Sequence, residues 1–145
     1  MNVLISGLNG TVAPYVADIF KKNKQQVFPY DRQKISTTSS SEIQDYLVSQ
    51  EIDLVIHLAM GSVEWTEILA KITNELEIGF MYISTVSVFS NHQIGPHDIQ
   101  KIPEPDEDYG KYKRACEIAV QASHPLAKIV RLGWQIGYQD GQNQM

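Results

Sequence analysis

Two side chains stand four residues apart in Tyr109-Gly110-Lys111-Tyr112-Lys113. On a helix, residues at i and i+4 share a face one turn apart. A phenol titrates near about 10 and is a poor acid–base group at neutral pH. An ammonium close to it stabilises the phenolate and lowers that value. The spacing of Tyr109 and Lys113 therefore suits proton transfer to or from a carbonyl or alcohol oxygen. The plain alternative is a surface helix carrying an ordinary tyrosine and lysine. A second hydroxyl pair, Ser84-Thr85, closes an apolar run. In an open parallel sheet the ligand crevice lies outside the C-terminal strand ends. Thr85 there could hydrogen-bond a substrate oxygen, or it could simply cap its own turn.

A third constellation lies near the N-terminus, Gly7-Leu8-Asn9-Gly10-Thr11-Val12-Ala13, between an apolar run and an amphipathic stretch. A strand, a glycine loop and a helix are what a dinucleotide phosphate loop requires. Gly7 permits the tight turn, Gly10 lets backbone N–H groups approach a pyrophosphate, and Ala13 allows close helix–sheet packing. The helix N-terminus adds partial positive charge. Asp31 follows Gly10 by 21 residues, where a carboxylate would receive ribose hydroxyls. Arg32 beside it would instead attract a 2′-phosphate, so NAD and NADP both remain open.

These residues must be positioned by strands and helices in alternation. Val3 to Ile5, Val27 to Tyr30, Ile52 to Ala59, Phe80 to Phe89 and Lys128 to Leu132 read as strands. Residues 11–23, a helix capped by Ser41, residues 62–76 and residues 109–123 read as helices. Gly79 reads as a helix stop. The third helix carries Trp65, Ile68, Leu69, Ile72 and Leu76 on one stripe, and the fourth carries Ala115, Ile118, Ala119 and Ala122. Residues 90–108 read as a long loop. Strand–helix alternation predicts right-handed crossovers in an α/β, Rossmann-type, doubly wound parallel sheet.

The chain of 145 residues has room for one domain. Residues 1–137 are expected to form it, with 138–145 a polar tail. Hydrophobic residues are 43% and charged ones 20%, which excludes wholesale disorder. The net charge of −5 argues against nucleic acid as a partner. The single cysteine, Cys116, excludes an intrachain disulfide and a multi-cysteine zinc site. His57, His92, His97 and His124 lack ligand spacing, and Asp106-Glu107-Asp108 reads as a solvated run, so no metal site is expected. No apolar run approaches a membrane span, and no leader is visible, so a cytoplasmic protein is expected.

The glycine loop, Asp31, His57-Leu58-Ala59, Tyr82-Ile83-Ser84-Thr85 with Val88-Phe89, Tyr109-x-x-x-Lys113 and Val130-Arg131 up to Gly137 come in one order. In that order they resemble the short-chain dehydrogenase/reductase family, in its extended branch acting on nucleotide sugars. Pro105 four residues before Tyr109, and Ser84-Thr85 ahead of Phe89, are similar to the dTDP-4-dehydrorhamnose reductase group. The resemblance implies NAD(P)-dependent reduction of a 4-keto nucleotide sugar. Thr85 would orient the carbonyl, Tyr109 would donate the proton, and Lys113 would lower the Tyr109 pKa and hold the nicotinamide ribose. Gly7, Leu8, Asn9 and Gly10 would hold the pyrophosphate. Asp31 or Arg32 would meet the adenosine ribose, and Leu58, Ala59 and Met60 would border the cofactor. It also implies a homodimer through helices near the Trp65 face.

The chain departs from that pattern in three places. Ile35-Ser36-Thr37-Thr38 stands where an aspartate usually lies near the adenine. The connection from Ala59 to Tyr82 is short and offers only Asn74 for the family's helical asparagine. The sequence stops just past Gly137, so the substrate region is expected to be largely absent. A non-catalytic NAD(P)-binding or redox-sensing module and a nucleotide-sugar epimerase are the other functions in view. Val86-Ser87 after Thr85 lacks the acidic pair of dehydratases.

Overall fold

A computed structural model describes residues 1–89 and 101–133. Strands β1 (Asn2–Ser6), β2 (Gln26–Pro29), β3 (Leu54–His57), β4 (Gly79–Thr85) and β5 (Lys128–Leu132) form one sheet in the order β2-β1-β3-β4-β5. Every pairing is parallel. Helices α1 (Ala13–Lys22), α2 (Ser40–Ser49), α3 (Val63–Glu75) and α4 (Asp108–Ser123) supply the crossovers. This is the expected Rossmann-like α/β fold. The strand order reverses between β1 and β3, and a crevice opens at such a switch point. His92, His97, Gly137 and the polar tail lie outside the described residues.

Side-chain alternation along the strands divides the core. Leu4, Val55, Phe80 and Tyr82 pack against Ile43 and Leu47 of α2, Trp65, Leu69 and Ile72 of α3, and Cys116 and Val120 of α4. Val3, Ile5 and Ile56 face the other way, onto Ala13 and Ala17 of α1. Trp65 is 1% exposed, with Leu69 and Ile72 also buried, so this stripe of α3 is core. Burying an indole of roughly 200 Å² is worth about 5 kcal/mol on transfer grounds.

The helix ends follow local chemistry, with two corrections. The Ser62 hydroxyl accepts from Trp65 N at 3.0 Å and caps α3 as its position suggests. For α2 the cap is Ser39, not Ser41: its hydroxyl accepts from Glu42 N at 3.2 Å. Ser39 and Glu42 have the capping-box spacing, and that selects the first serine of three. Gly79 does not end α3 but begins β4. Lys24, Glu51 and Glu77 take positive φ values of 64°, 52° and 57° just past α1, α2 and α3. The next N–H of each reaches back five residues, from Gln25 to Phe20, Ile52 to Leu47 and Ile78 to Thr73, at 2.8 to 3.0 Å. This is the Schellman closure, made here without glycine, and the satisfied carbonyls offset the left-handed backbone.

Helix α4 differs most from its expected face. Ala115, Ile118 and Ala122 are exposed, Ile118 by 53%. The buried side instead carries Gly110, Lys113, Cys116, Glu117, Ala119 and Val120.

Candidate active site

The loops after β1, β2 and β3 meet at the C-terminal edge of the sheet. Gly7 has φ +82°, and a Cβ there would lie 2.8 Å from Ala59 N and 2.9 Å from Ala59 Cα. Only glycine lets these two loops touch. The Gly10 N–H donates to Gly7 O at 2.9 Å and closes the turn. Helix α1 then starts with no side-chain cap and no acid in its first turn. Its N-terminal dipole is left uncompensated beside the glycine loop.

The register holds this edge together. Ser6 pairs with His57, and His57 with Tyr82, so the three stand level across β1, β3 and β4. Ser6 Oγ accepts from Leu58 N at 3.0 Å and Ala59 N at 3.1 Å. With both lone pairs used, its O–H donates to His57 Nδ1, 2.7 Å away. His57 Nε2 therefore carries the proton and donates to Thr66 Oγ1 at 3.0 Å. Ser6, His57 and Thr66 are all at most 2% exposed. His57 is thus a neutral core bridge and no metal ligand, and no cluster able to hold a metal ion occurs among the described residues.

Burial pushes the His57 pKa down from 6.5 to about 3, with help from the nearby Lys113 and Arg32 charges. The unfolded chain therefore binds this proton first as pH falls. Stability is complete above about pH 6.5 and is lost toward pH 3, at roughly 1.4 kcal/mol per pH unit. Urea unfolding at pH 7, 6, 5 and 4.5 is expected to show this slope, and His57→Gln to flatten it. An identical slope in the variant would exclude His57 as its source.

Asp31 and Arg32 follow β2. Asp31 Oδ1 accepts from Gln33 N at 2.9 Å. The Arg32 guanidinium lies over the Trp65 ring, 4.5 Å from its centroid, and donates to Met60 O. The structure thereby joins Arg32 to Met60, two of the expected cofactor contacts. Arg32, Lys34, Ser36, Thr37, Gly61 and Trp65 are among the residues lining a cavity of about 620 Å³ beside them. Ser36 and Thr37 belong to the segment that lacks the usual aspartate.

Thr85, Tyr109 and Lys113 gather at the end of β4. Thr85 Oγ1 accepts from Ser87 N at 3.1 Å, capping the short 3-10 turn Val86–Val88. Its O–H remains to donate. Lys113 is 3% exposed. Its Nζ donates to Ile83 O at 2.9 Å and sits 4.7 Å from the centroid of the Tyr82 ring. Tyr109 is 47% exposed, and burial of the rest raises its pKa. The lowering expected from Lys113 is not what this arrangement gives, because the ammonium is directed at β4. Tyr109 is a protonated phenol at neutral pH.

Four contacts had no clear signal in the sequence. Tyr112 donates to Gly61 O and accepts from Gly61 N, tying α4 to the loop before α3. Of the two tyrosines on this helix, Tyr109 is therefore the one available to a ligand. Gly110 abuts the turn after Thr85: a Cβ would fall 2.1 Å from Ser87 O. Glu117, 0% exposed, accepts from Arg131 Nε and Nη2, each at 2.9 Å, and from Arg114 Nη1 at 3.0 Å. His124 ends α4 with Nε2 2.9 Å from Ile78 O. The Arg131–Glu117 fork could be sought from charge pairing, but only the packing of α4 against β5 brings the two together.

A family model described as the RmlD substrate binding domain matches residues 61–145, from just before α3 onward. The dTDP-4-dehydrorhamnose reductase of Clostridium acetobutylicum is 25% identical, with a TM-score of 0.86 over 99% of this chain and 56% of that one. The dTDP-4-dehydrorhamnose reductase of Bacillus anthracis, solved in complex with NADP, is 23% identical, with a TM-score of 0.81 over 92% of this chain and 53% of that one. A Haloferax volcanii protein named a probable low-salt glycan biosynthesis reductase, Agl14, is 24% identical over 94% of this chain and 54% of its own. The chain thus spans about half the length of these relatives. No helix among the described residues is long and apolar enough to cross a membrane. On the family match, which covers more than half of its residues, this chain belongs to the RmlD substrate binding domain family.

Proposed function

We propose that this chain carries the dinucleotide site and the proton-donating side chains of an NAD(P)-dependent reductase acting on a 4-keto nucleotide sugar. The observation that carries the reading is the seating of Gly7 against Ala59, which leaves a Cβ-free cradle at the uncapped start of α1. The cradle fits a pyrophosphate: Gly7, Leu8, Asn9 and Gly10 would hold it, with Leu58, Ala59 and Met60 as the bordering wall. Asp31 and Arg32 would meet the adenosine end. The Bacillus anthracis relative, solved with NADP, supports that choice of group. The dinucleotide, when bound, supplies hydride chemistry.

The remaining work falls to this chain. Thr85 donates to the substrate carbonyl and fixes its orientation. Tyr109 stays protonated because burial raises its pKa, which is the form a reduction needs. Lys113, held by Ile83 O and the Tyr82 face, keeps a positive charge at the end of β4, where the nicotinamide ribose would lie. Residues 1–137 form the functional unit in this reading. Its single cysteine, buried and free, suits the reducing cytoplasm. The testing experiment follows consumption of NADH and NADPH by the chain when a 4-keto nucleotide sugar is added. Substrate-dependent consumption is expected. Cofactor binding without consumption would favour a non-catalytic dinucleotide module.

A further inference from the structure

Lys113 is almost fully buried, and a buried ammonium is costly unless an anion answers it. The groups that face it come from every neighbouring element. Strand β3 brings neutral His57, β4 brings the Tyr82 ring, which also has Tyr109 and Tyr112 near it, and α4 itself brings Cys116 and Glu117. Strand β5 contributes Arg131 through its fork on Glu117. Glu117 is the one carboxylate in that set, one helical turn beyond Lys113. It is wholly buried, gripped by Arg131 and Arg114, and packed beside Ser84, the neighbour of Thr85. Ser84 pairs with Arg131 across β4 and β5, so one ion pair spans the end of β4, β5 and the α4 turn that bears Lys113.

We propose that Glu117 is a positioning residue for Lys113: pinned by Arg131 and Arg114, it seats α4 on β4 and β5 and supplies the carboxylate that lets the buried ammonium stay charged. The role in a reaction rests on the reductase reading; the electrostatic role does not. Burial lowers the Lys113 pKa, and Cys116 and then Glu117, both buried on the same helix face, raise it again. Burial alone would raise the Glu117 carboxyl, but the hydrogen bonds and charge of Arg131, and then Arg114, bring it below its ordinary value. The carboxylate is therefore present at neutral pH. Removing it strips Lys113 of that carboxylate and leaves the Arg131 and Arg114 guanidinium groups without their shared partner. Removing Arg131 instead leaves the carboxylate less neutralised.

Opposite substitutions should then act with opposite sign, which packing alone does not produce. The test is a pH titration of the Lys113 side-chain carbon resonance in chain labelled with ¹³C-lysine, assigned by its loss in Lys113→Arg. Glu117→Gln is expected to lower the midpoint by about one unit, Arg131→Gln to raise it, and Arg131→Lys to leave it near wild type. A midpoint that stays put, or moves the same way in both Gln variants, overturns the proposal. If Glu117→Gln does not fold, Arg131→Gln decides alone: a rise supports the assignment, and no change or a fall overturns it. These shifts in a chain that reduces no sugar would count against the reductase reading only.

Discussion

Replacing Tyr109 by phenylalanine is expected to reduce the rate of carbonyl reduction by about 10²- to 10⁴-fold, the usual worth of a positioned proton donor. Phenylalanine keeps the ring and its partial burial, so the fold and the α4 contacts survive. What is lost is the O–H. Tyr112 cannot replace it, because its hydroxyl is held by both backbone groups of Gly61. The substitution leaves every residue of the glycine loop in place, so dinucleotide affinity should be almost unchanged. Single-turnover rates and cofactor affinity, measured on the same samples, separate the two effects. Equal turnover in the variant would remove Tyr109 from the mechanism, and joint loss of affinity would show that it serves binding instead.

Gly110→Ala carries the largest expected cost to the fold. Inside a helix this change ordinarily stabilises by about 1 kcal/mol. Here the new methyl would stand 2.1 Å from Ser87 O and 3.2 Å from Pro105 Cβ. The nearest obstacle is backbone of the turn that Thr85 caps, and it cannot swing aside as a side chain could. Overpacking of this kind costs about 3 kcal/mol, so the clash outweighs the helix propensity. The expected net loss is roughly 2 kcal/mol or more in urea unfolding. Any fraction that folds must move α4 away from Thr85, separating Tyr109 from the carbonyl position. Activity per folded molecule should therefore fall as well. A variant as stable and active as the parent would mean that α4 and the 86–88 turn are not in the contact described.

The parts of the architecture written in short-range rules were legible from the residues. Short apolar runs between helical stretches marked the strands, and Ser62 marked the start of α3 correctly. The glycine loop was legible because Gly7 solves a local problem, a positive φ, even though the reason for its small size lies at Ala59. Helix α4 was not legible. Hydropathy selects Ala115, Ile118 and Ala122, yet the helix buries Lys113 and Glu117, since each finds its partner on β4 or β5. Buried polar side chains invert the amphipathic pattern, and their partners are remote in sequence. The same holds for Ser6, His57 and Thr66, whose chain of hydrogen bonds spans 60 residues but only one level of the sheet. Gly79 misled for a simpler reason: a residue of ordinary type, Glu77, took the left-handed position that glycine usually fills.

The central claim is that the C-terminal edge formed by the loops after β1, β2 and β3 binds a nicotinamide dinucleotide. Calorimetric titration of the 145-residue chain with NADH and with NADPH tests it most directly. Saturable binding of one equivalent of at least one of them is the predicted result. Heats indistinguishable from dilution with both would contradict it.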